Sequence, residues 1–192
     1  GAAEVIYTNA EDAGVGGLSE DETLLAIGHS EHGDSRHPDV RVVRVADGST
    51  VAEKSDGPGT ALTPLGFAPV PGDPRLLLLH ERRGREELMI WDVVADTETE
   101  IPLDLPGEVS ADWSPDATFL LVWHTHAART RLYRYDLGGT LSELPVAPGC
   151  VGSAQVRPDG TVEYTCSSAA EPTRVRALHP DGTDRGLVAL PG

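Results

Sequence analysis

The sequence predicts an all-β fold of about four repeated blades, each made of four antiparallel strands, and three observations carry that prediction. Pro-Gly recurs at Pro58-Gly59, Pro106-Gly107, Pro148-Gly149 and Pro191-Gly192, at spacings of 48, 42 and 43 residues. Between these marks a turn sequence recurs: LSEDE from Leu18, FAPVPGDP from Phe67, WSPDA from Trp113 and VRPDG from Val156. Each turn is followed by an apolar run and then by a second β-rich run that ends in another turn. The apolar runs are TLLAIGHS, RLLLLHE, TFLLVWHT and TVEYTCSS; the later runs are VRVVRVADG, ELMIWDVVADT, RLYRYDLGG and RVRALHPDG. Self-similarity at this period is the mark of a repeat architecture.

In chain order, residues 1–13 hold EVIYTN, which reads as a single strand left over from a preceding blade. Four blades follow at about residues 14–59, 60–107, 108–149 and 150–192. In the third, strands are expected at 109–113, 119–124, 131–136 and 141–144. These runs are too short for helices, rich in Val, Leu, Ile, Tyr and Trp, and punctuated by Gly, Pro and Asp. The turns have a local cause: Pro presets φ and Asp bonds back to its own backbone. Antiparallel four-stranded units of about 40–50 residues are blades of a β-propeller. Second strands should be buried, connections between second and third strands exposed, and helix nearly absent. Phe67, Trp91, Trp113, Phe119 and Trp123 read as packing between blades.

The chain has 192 residues, 39% of them apolar and 24% charged, which fits a folded globular domain. Its formal net charge is −16, from 31 acidic and 15 basic residues. That sign argues against nucleic acid and anionic membranes as partners. The two cysteines, Cys150 and Cys166, make no disulfide framework or metal motif. No targeting segment or long apolar span is seen, and the expected location is cytoplasmic.

Four groups of residues invite a chemical reading. GHSEH and GDSRH, around Ser30 and Ser35, fall short of a nucleophile elbow: each lacks the second glycine and a following helix. His29, His80 and His124 stand at the end of the second strand in three successive blades. A metal would need them to converge, whereas equivalent strands of different blades diverge, so strand-capping hydrogen bonds to a neighbouring turn are expected instead. Glu31, His32, Asp34, His37 and Asp39 crowd one connection, but without the alternating acidic spacing of a calcium loop. HERRGREE sets Arg82, Arg83 and Arg85 among Glu81, Glu86 and Glu87. Arginine forks suit peptide carboxylates and paired glutamates suit an amino terminus, although a salt-laced hairpin tip would look the same.

The turns Ser114-Pro115-Asp116 and Pro158-Asp159-Gly160, with LYRYDL at 132–137 and the looser first unit at 18–45, resemble the propeller of the prolyl oligopeptidase family of serine peptidases, including its dipeptidyl and acylaminoacyl peptidase branches. The long polar insertion at 30–39 and HERRGREEL favour that family over TolB-like and WD-repeat propellers, which share much of the pattern. Trp91-Asp92 lacks the Gly-His partner of a WD repeat. The resemblance implies a catalytic serine in a separate α/β-hydrolase domain, and hence an internal fragment with no catalytic residue of its own. The expected role is to gate or orient peptide substrates. Arg82, Arg83, Glu31 and His32, on the connections between second and third strands, are the expected contacts. No metal and no cofactor are expected. Partners would be the peptide or the hydrolase domain, with self-association through the terminal blades near Leu25, Ile27, Val162 and Tyr164. The alternative is a stand-alone TolB-like or WD-repeat-like binding scaffold. A metal-dependent propeller enzyme such as a lactonase would need ligands converging at the axis, which the pattern does not supply.

Overall fold

A computed structural model describes residues 5–186. It divides into two compact units, Gly1–Pro102 and Leu103–Gly192. Each holds two four-stranded antiparallel sheets in simple up-and-down order, and no helix occurs among the described residues. In the first unit the blades are β1 (Ala13–Leu18), β2 (Leu24–Asp34), β3 (His37–Arg44) and β4 (Thr50–Lys54), then β5 (Leu62–Phe67), β6 (Arg75–His80), β7 (Glu87–Asp92) and β8 (Thr97–Ile101). In the second they are β9 (Glu108–Trp113), β10 (Phe119–His126), β11 (Arg129–Asp136) and β12 (Thr140–Glu143), then β13 (Cys150–Val156), β14 (Val162–Ser167), β15 (Arg174–Leu178) and β16 (Asp184–Gly186). The four blades expected from the repeats are all present. The leftover strand is not: residues 5–12 belong to no strand, and residues 1–4 lie outside the described part. Pro191-Gly192 lies outside it too.

The turn between first and second strands is built the same way in blades one and three. Ser114 Oγ–H donates to Asp116 Oδ1 at 2.7 Å and accepts the Phe119 N–H at 3.1 Å, while Asp116 also takes the Thr118 N–H at 3.2 Å. Ser19, Asp21, Thr23 and Leu24 repeat the set at 2.8, 3.2 and 2.9 Å. Blade four keeps only the aspartate half, Asp159 accepting from Thr161 N–H at 3.0 Å. These local bonds reverse the chain and set the register of the following strand.

In each unit an apolar cluster among the described residues draws on both blades. In the first, Leu24, Val40 and Val42 meet Leu62, Leu76, Met89 and Trp91; in the second, Leu121 and Leu132 meet Val151, Val162, Tyr164 and Leu178. The middle strand β6 is buried from Leu76 through His80 on both faces, as the unbroken run of four leucines requires. Of the residues named for self-association, Val162 and Tyr164 belong to the second cluster, Ile27 is buried and Leu25 is partly buried. The large apolar side chains that do reach solvent are Val5, Val15, Leu18, Val94 and Val175.

The connections between second and third strands depart from expectation. The insertion at 30–39 is not an irregular loop, because β2 runs to Asp34 and pairs again with β3 at Asp34↔His37. Asp34 Oδ1 closes this hairpin by accepting the N–H groups of Arg36 and His37. In blade three the ladder continues to His126↔Arg129 around Ala127 and Ala128, both at positive φ. In blades one and three the polar edge is therefore carried on paired strand, whereas residues 81–86 of blade two form a turn.

Candidate functional site

The strand-end histidines separate into three situations. His124 Nε2 lies 2.6 Å from the carbonyl oxygen of Pro106, so this imidazole does cap the Pro-Gly turn before its blade. Cys166, which takes the same place in blade four, sits 4.0 Å from the Pro148 carbonyl, and burial raises its thiol above the ordinary value. Both cysteines are free thiols. In blade two the Pro58-Gly59 turn stands further from β5 in sequence, and the fully buried His80 has no hydrogen-bond partner on either ring nitrogen.

Burial pushes the His80 pKa below 6.5. The unfolded chain therefore takes up a proton just below pH 6.5 that the folded chain refuses. Stability is complete above that pH and falls as pH drops through it toward the folded pKa. His80→Leu should raise the urea midpoint at pH 7.5 by an amount worth about 1 kcal/mol, and should widen its advantage at pH 5.5. A destabilised variant with an unchanged pH slope would contradict this.

In blade one the strand register gathers charge on one face of the sheet. His29 pairs with Asp39 and Arg41 with Glu53, while Glu31 and Arg41 each lie two residues along from that first pair. Cross-strand partners and i, i+2 neighbours share a face. Arg41 binds Glu31 through Nη2 at 2.6 Å and Nη1 at 3.1 Å, and Glu53 through Nη2 at 3.0 Å and Nε at 3.1 Å. Its Nη1 also donates to Tyr7 Oη at 3.3 Å, and Tyr7 donates to Glu31 at 3.1 Å. Arg41 holds the Glu31 carboxyl below its ordinary pKa. His32, whose side chain is 56% exposed, places Nδ1 3.3 Å from Glu53 Oε1 and 3.4 Å from Asp39 Oδ2. Beside this group a cleft of about 500 Å³ runs between the two blades, lined by His29, Ser30, Ser35, Thr63 and Pro64.

Of the two serines, Ser30 donates through Oγ to the Asp12 carbonyl at 3.3 Å, and Ser35 occupies the hairpin turn between β2 and β3.

Arg82 and Arg83 belong to a second network. Arg82 holds Asp56 in a two-pronged grip at 2.7 and 2.8 Å and reaches Glu98 at 2.7 Å and Glu100 at 3.0 Å. Lys54 joins it from β4, bonding Glu98 at 2.6 Å with its ammonium 4.7 Å from the Trp91 ring centroid. Together Arg82 and Lys54 lower the Glu98 pKa to about 2. Arg83 binds Glu87 at 2.5 Å and also Glu100, and its side chain stays 56% exposed. The four expected contacts thus fall into two networks, Glu31 with His32 and Arg82 with Arg83. Sequence reasoning missed Arg41 and Glu53, which organise the first, and Asp56 with Lys54, which tie the second to blade one.

This architecture defines a protein of β-propeller blades. No family model matches the sequence, and no curated protein matches it. Among solved structures it is similar to TolB from Acinetobacter baumannii, at 16% identity and a TM-score of 0.68 over 95% of this chain and 45% of that one. The Pyrococcus horikoshii acylaminoacyl peptidase matches at 14% identity and a TM-score of 0.69, over 93% of this chain and 27% of that one. A Mycobacterium tuberculosis puromycin-hydrolyzing peptidase matches at 20% identity and a TM-score of 0.64, over 91% and 29%. The chain therefore spans less than half of each of these proteins. Both kinds of propeller named from the sequence, peptidase and TolB, are represented. No helix among the described residues is long and apolar enough to cross a membrane.

Proposed function

We propose that this chain is the non-catalytic propeller region of a serine peptidase resembling the prolyl oligopeptidase family, and that it orients peptides for a hydrolase domain. The observation that carries this reading is the chemistry of the hairpin edge between second and third strands in the first unit. Glu31, kept ionised by Arg41, offers a carboxylate to a peptide ammonium, with His32 exposed beside it. Arg83 offers an exposed guanidinium to a peptide carboxylate or carbonyl. Arg82, saturated by three carboxylates, acts by positioning: it holds Glu100, and Glu100 holds Arg83. Side chains already held by ion pairs suit such a role, since pre-ordered groups lose little freedom on binding.

A TolB-like scaffold is the second reading. It is favoured by a TolB from Agrobacterium tumefaciens, matched at a TM-score of 0.68 and 15% identity over 97% of this chain and 65% of that one. Fluorescence anisotropy with labelled tetrapeptides separates the two. Wild type should bind, Glu31→Gln with Arg83→Ala should weaken binding at least about tenfold, or about 1.4 kcal/mol, and no peptide should be hydrolysed. Failure to bind any free peptide would overturn the peptide reading and leave the scaffold reading standing.

A further inference from the structure

The buried ring of His29 points an unpartnered nitrogen into a group of metal-ligating atoms. Its side chain is fully buried, and Nε2 has no hydrogen-bond partner. Glu53 Oε1 approaches that nitrogen only to 3.5 Å. From that oxygen to His32 Nδ1 is 3.3 Å, and from His32 Nδ1 to Asp39 Oδ2 is 3.4 Å. Ligand atoms of His29, His32 and Asp39 all lie within 4.8 Å of one another.

These separations are long for hydrogen bonds, which centre near 2.9 Å. The 3.4 Å between His32 Nδ1 and Asp39 Oδ2 matches the edge of a tetrahedron around an ion with bonds of about 2.0–2.1 Å, which is roughly 3.3 Å. The charge also fits. Glu31, Asp39 and Glu53 face a single guanidinium, that of Arg41, so with neutral imidazoles two negative charges remain uncompensated in the group. Arg41 grips Glu31 and Glu53 from the side and fixes the Glu53 carboxylate next to His29 and His32.

We propose that His29, His32 and Asp39 form a zinc site on the hairpin of β2 and β3, with the Glu53 carboxylate of β4 beside it. Two imidazoles and one carboxylate, with a fourth position open to water, suit Zn²⁺ better than calcium, which takes six to eight oxygens. The histidines of different blades stand on diverging strands, and the cluster at 31–39 lacks the spacing of a calcium loop; the zinc ligands instead join His29 to that cluster, through its direct pairing with Asp39 across β2 and β3. His32 keeps one exposed ring edge for other contacts, so the site is compatible with the peptide role but does not rest on it.

The test is titration of the full chain, stripped with chelator, with zinc sulfate alone and no peptide. Calorimetry should give one zinc per chain, and zinc at about 100 times Kd should raise Tm by about 5 °C or more. Cobalt(II) in its place should show the visible band of a tetrahedral ion. His32→Ala, at an exposed position, and Asp39→Asn should each weaken zinc binding about tenfold or more. His37→Ala, on the same hairpin but paired with Asp34, should leave it unchanged. Absence of stoichiometric zinc, an octahedral cobalt spectrum, or undiminished binding by His32→Ala would each overturn the proposal.

Discussion

Trp91→Ala is expected to destabilise the protein by about 3–5 kcal/mol, the usual cost of emptying a large buried aromatic site. Trp91 is fully buried in the core of the first unit, among Leu24, Val42, Leu76 and Met89. Three interactions meet at this side chain. Its indole N–H donates to Asp96 Oδ1 at 2.9 Å, its ring faces the Lys54 ammonium, and its edges fill the space between the two blades. Alanine would remove the packing and the cation contact together, and would free Lys54 and Glu98 from the position that supports Arg82. Trp91→Phe should cost less, since it keeps much of the buried area and loses mainly the hydrogen bond, worth about 1 kcal/mol. Urea unfolding followed by circular dichroism measures both. A loss below about 1.5 kcal/mol for alanine would mean that the site collapses around the gap.

Gly107→Ala should be far more damaging than the same change at Gly59, the corresponding position of blade two. Gly107 has φ +100°, and an added Cβ would lie 2.4 Å from the Thr125 carbonyl oxygen and 3.2 Å from His126 Cβ. The positive φ costs about 1 kcal/mol and the overlap about 1–3 more. Relief requires moving either β9 or the end of β10, and that motion also breaks the bond between His124 and Pro106. Gly59 sits at φ +84° in the corresponding turn of blade two, and a methyl group added there would meet nothing within 4 Å beyond its chain neighbours. Gly59→Ala should therefore show only the conformational cost of about 1 kcal/mol. Equal losses at the two positions would show that close approach plays no part.

The strands were legible because their signals are local. Expected strands at 119–124 and 131–136 are the cores of β10 and β11, and the Ser114–Asp116 turn works through side chains two to five residues apart. What the sequence hid depends on pairing at a distance or on unusual turns. Ala127 and Ala128 adopt positive φ without the Asn or Gly that normally announces such a turn, so the hairpin around them read as a loop. The hairpin of blade one is polar on both sides, and no alternation of apolar residues marks its strands. The partners of Arg82 lie 26, 16 and 18 residues away. Glu31 and His32 could be named from the sequence, but their joining to His29, Asp39, Arg41 and Glu53 follows from the register His29↔Asp39 and Arg41↔Glu53. A single-residue slip in either pairing would have sent those side chains to the opposite face.

Each apolar cluster is shared by two neighbouring blades, and this bears on how the molecule opens. A blade that swung away from its pair would uncover not only its own inner face but also its partner's, doubling the apolar area given to water. The free energy of opening one blade therefore approaches that of opening both, and the pair behaves as one foldon. The slowest-exchanging amides are then those of the middle strands on both sides of a shared core, β2 and β6 in one unit and β10 and β14 in the other. The fringe strands β4, β8, β12 and β16, with few buried side chains, exchange through shallow local fluctuations that leave the pair intact.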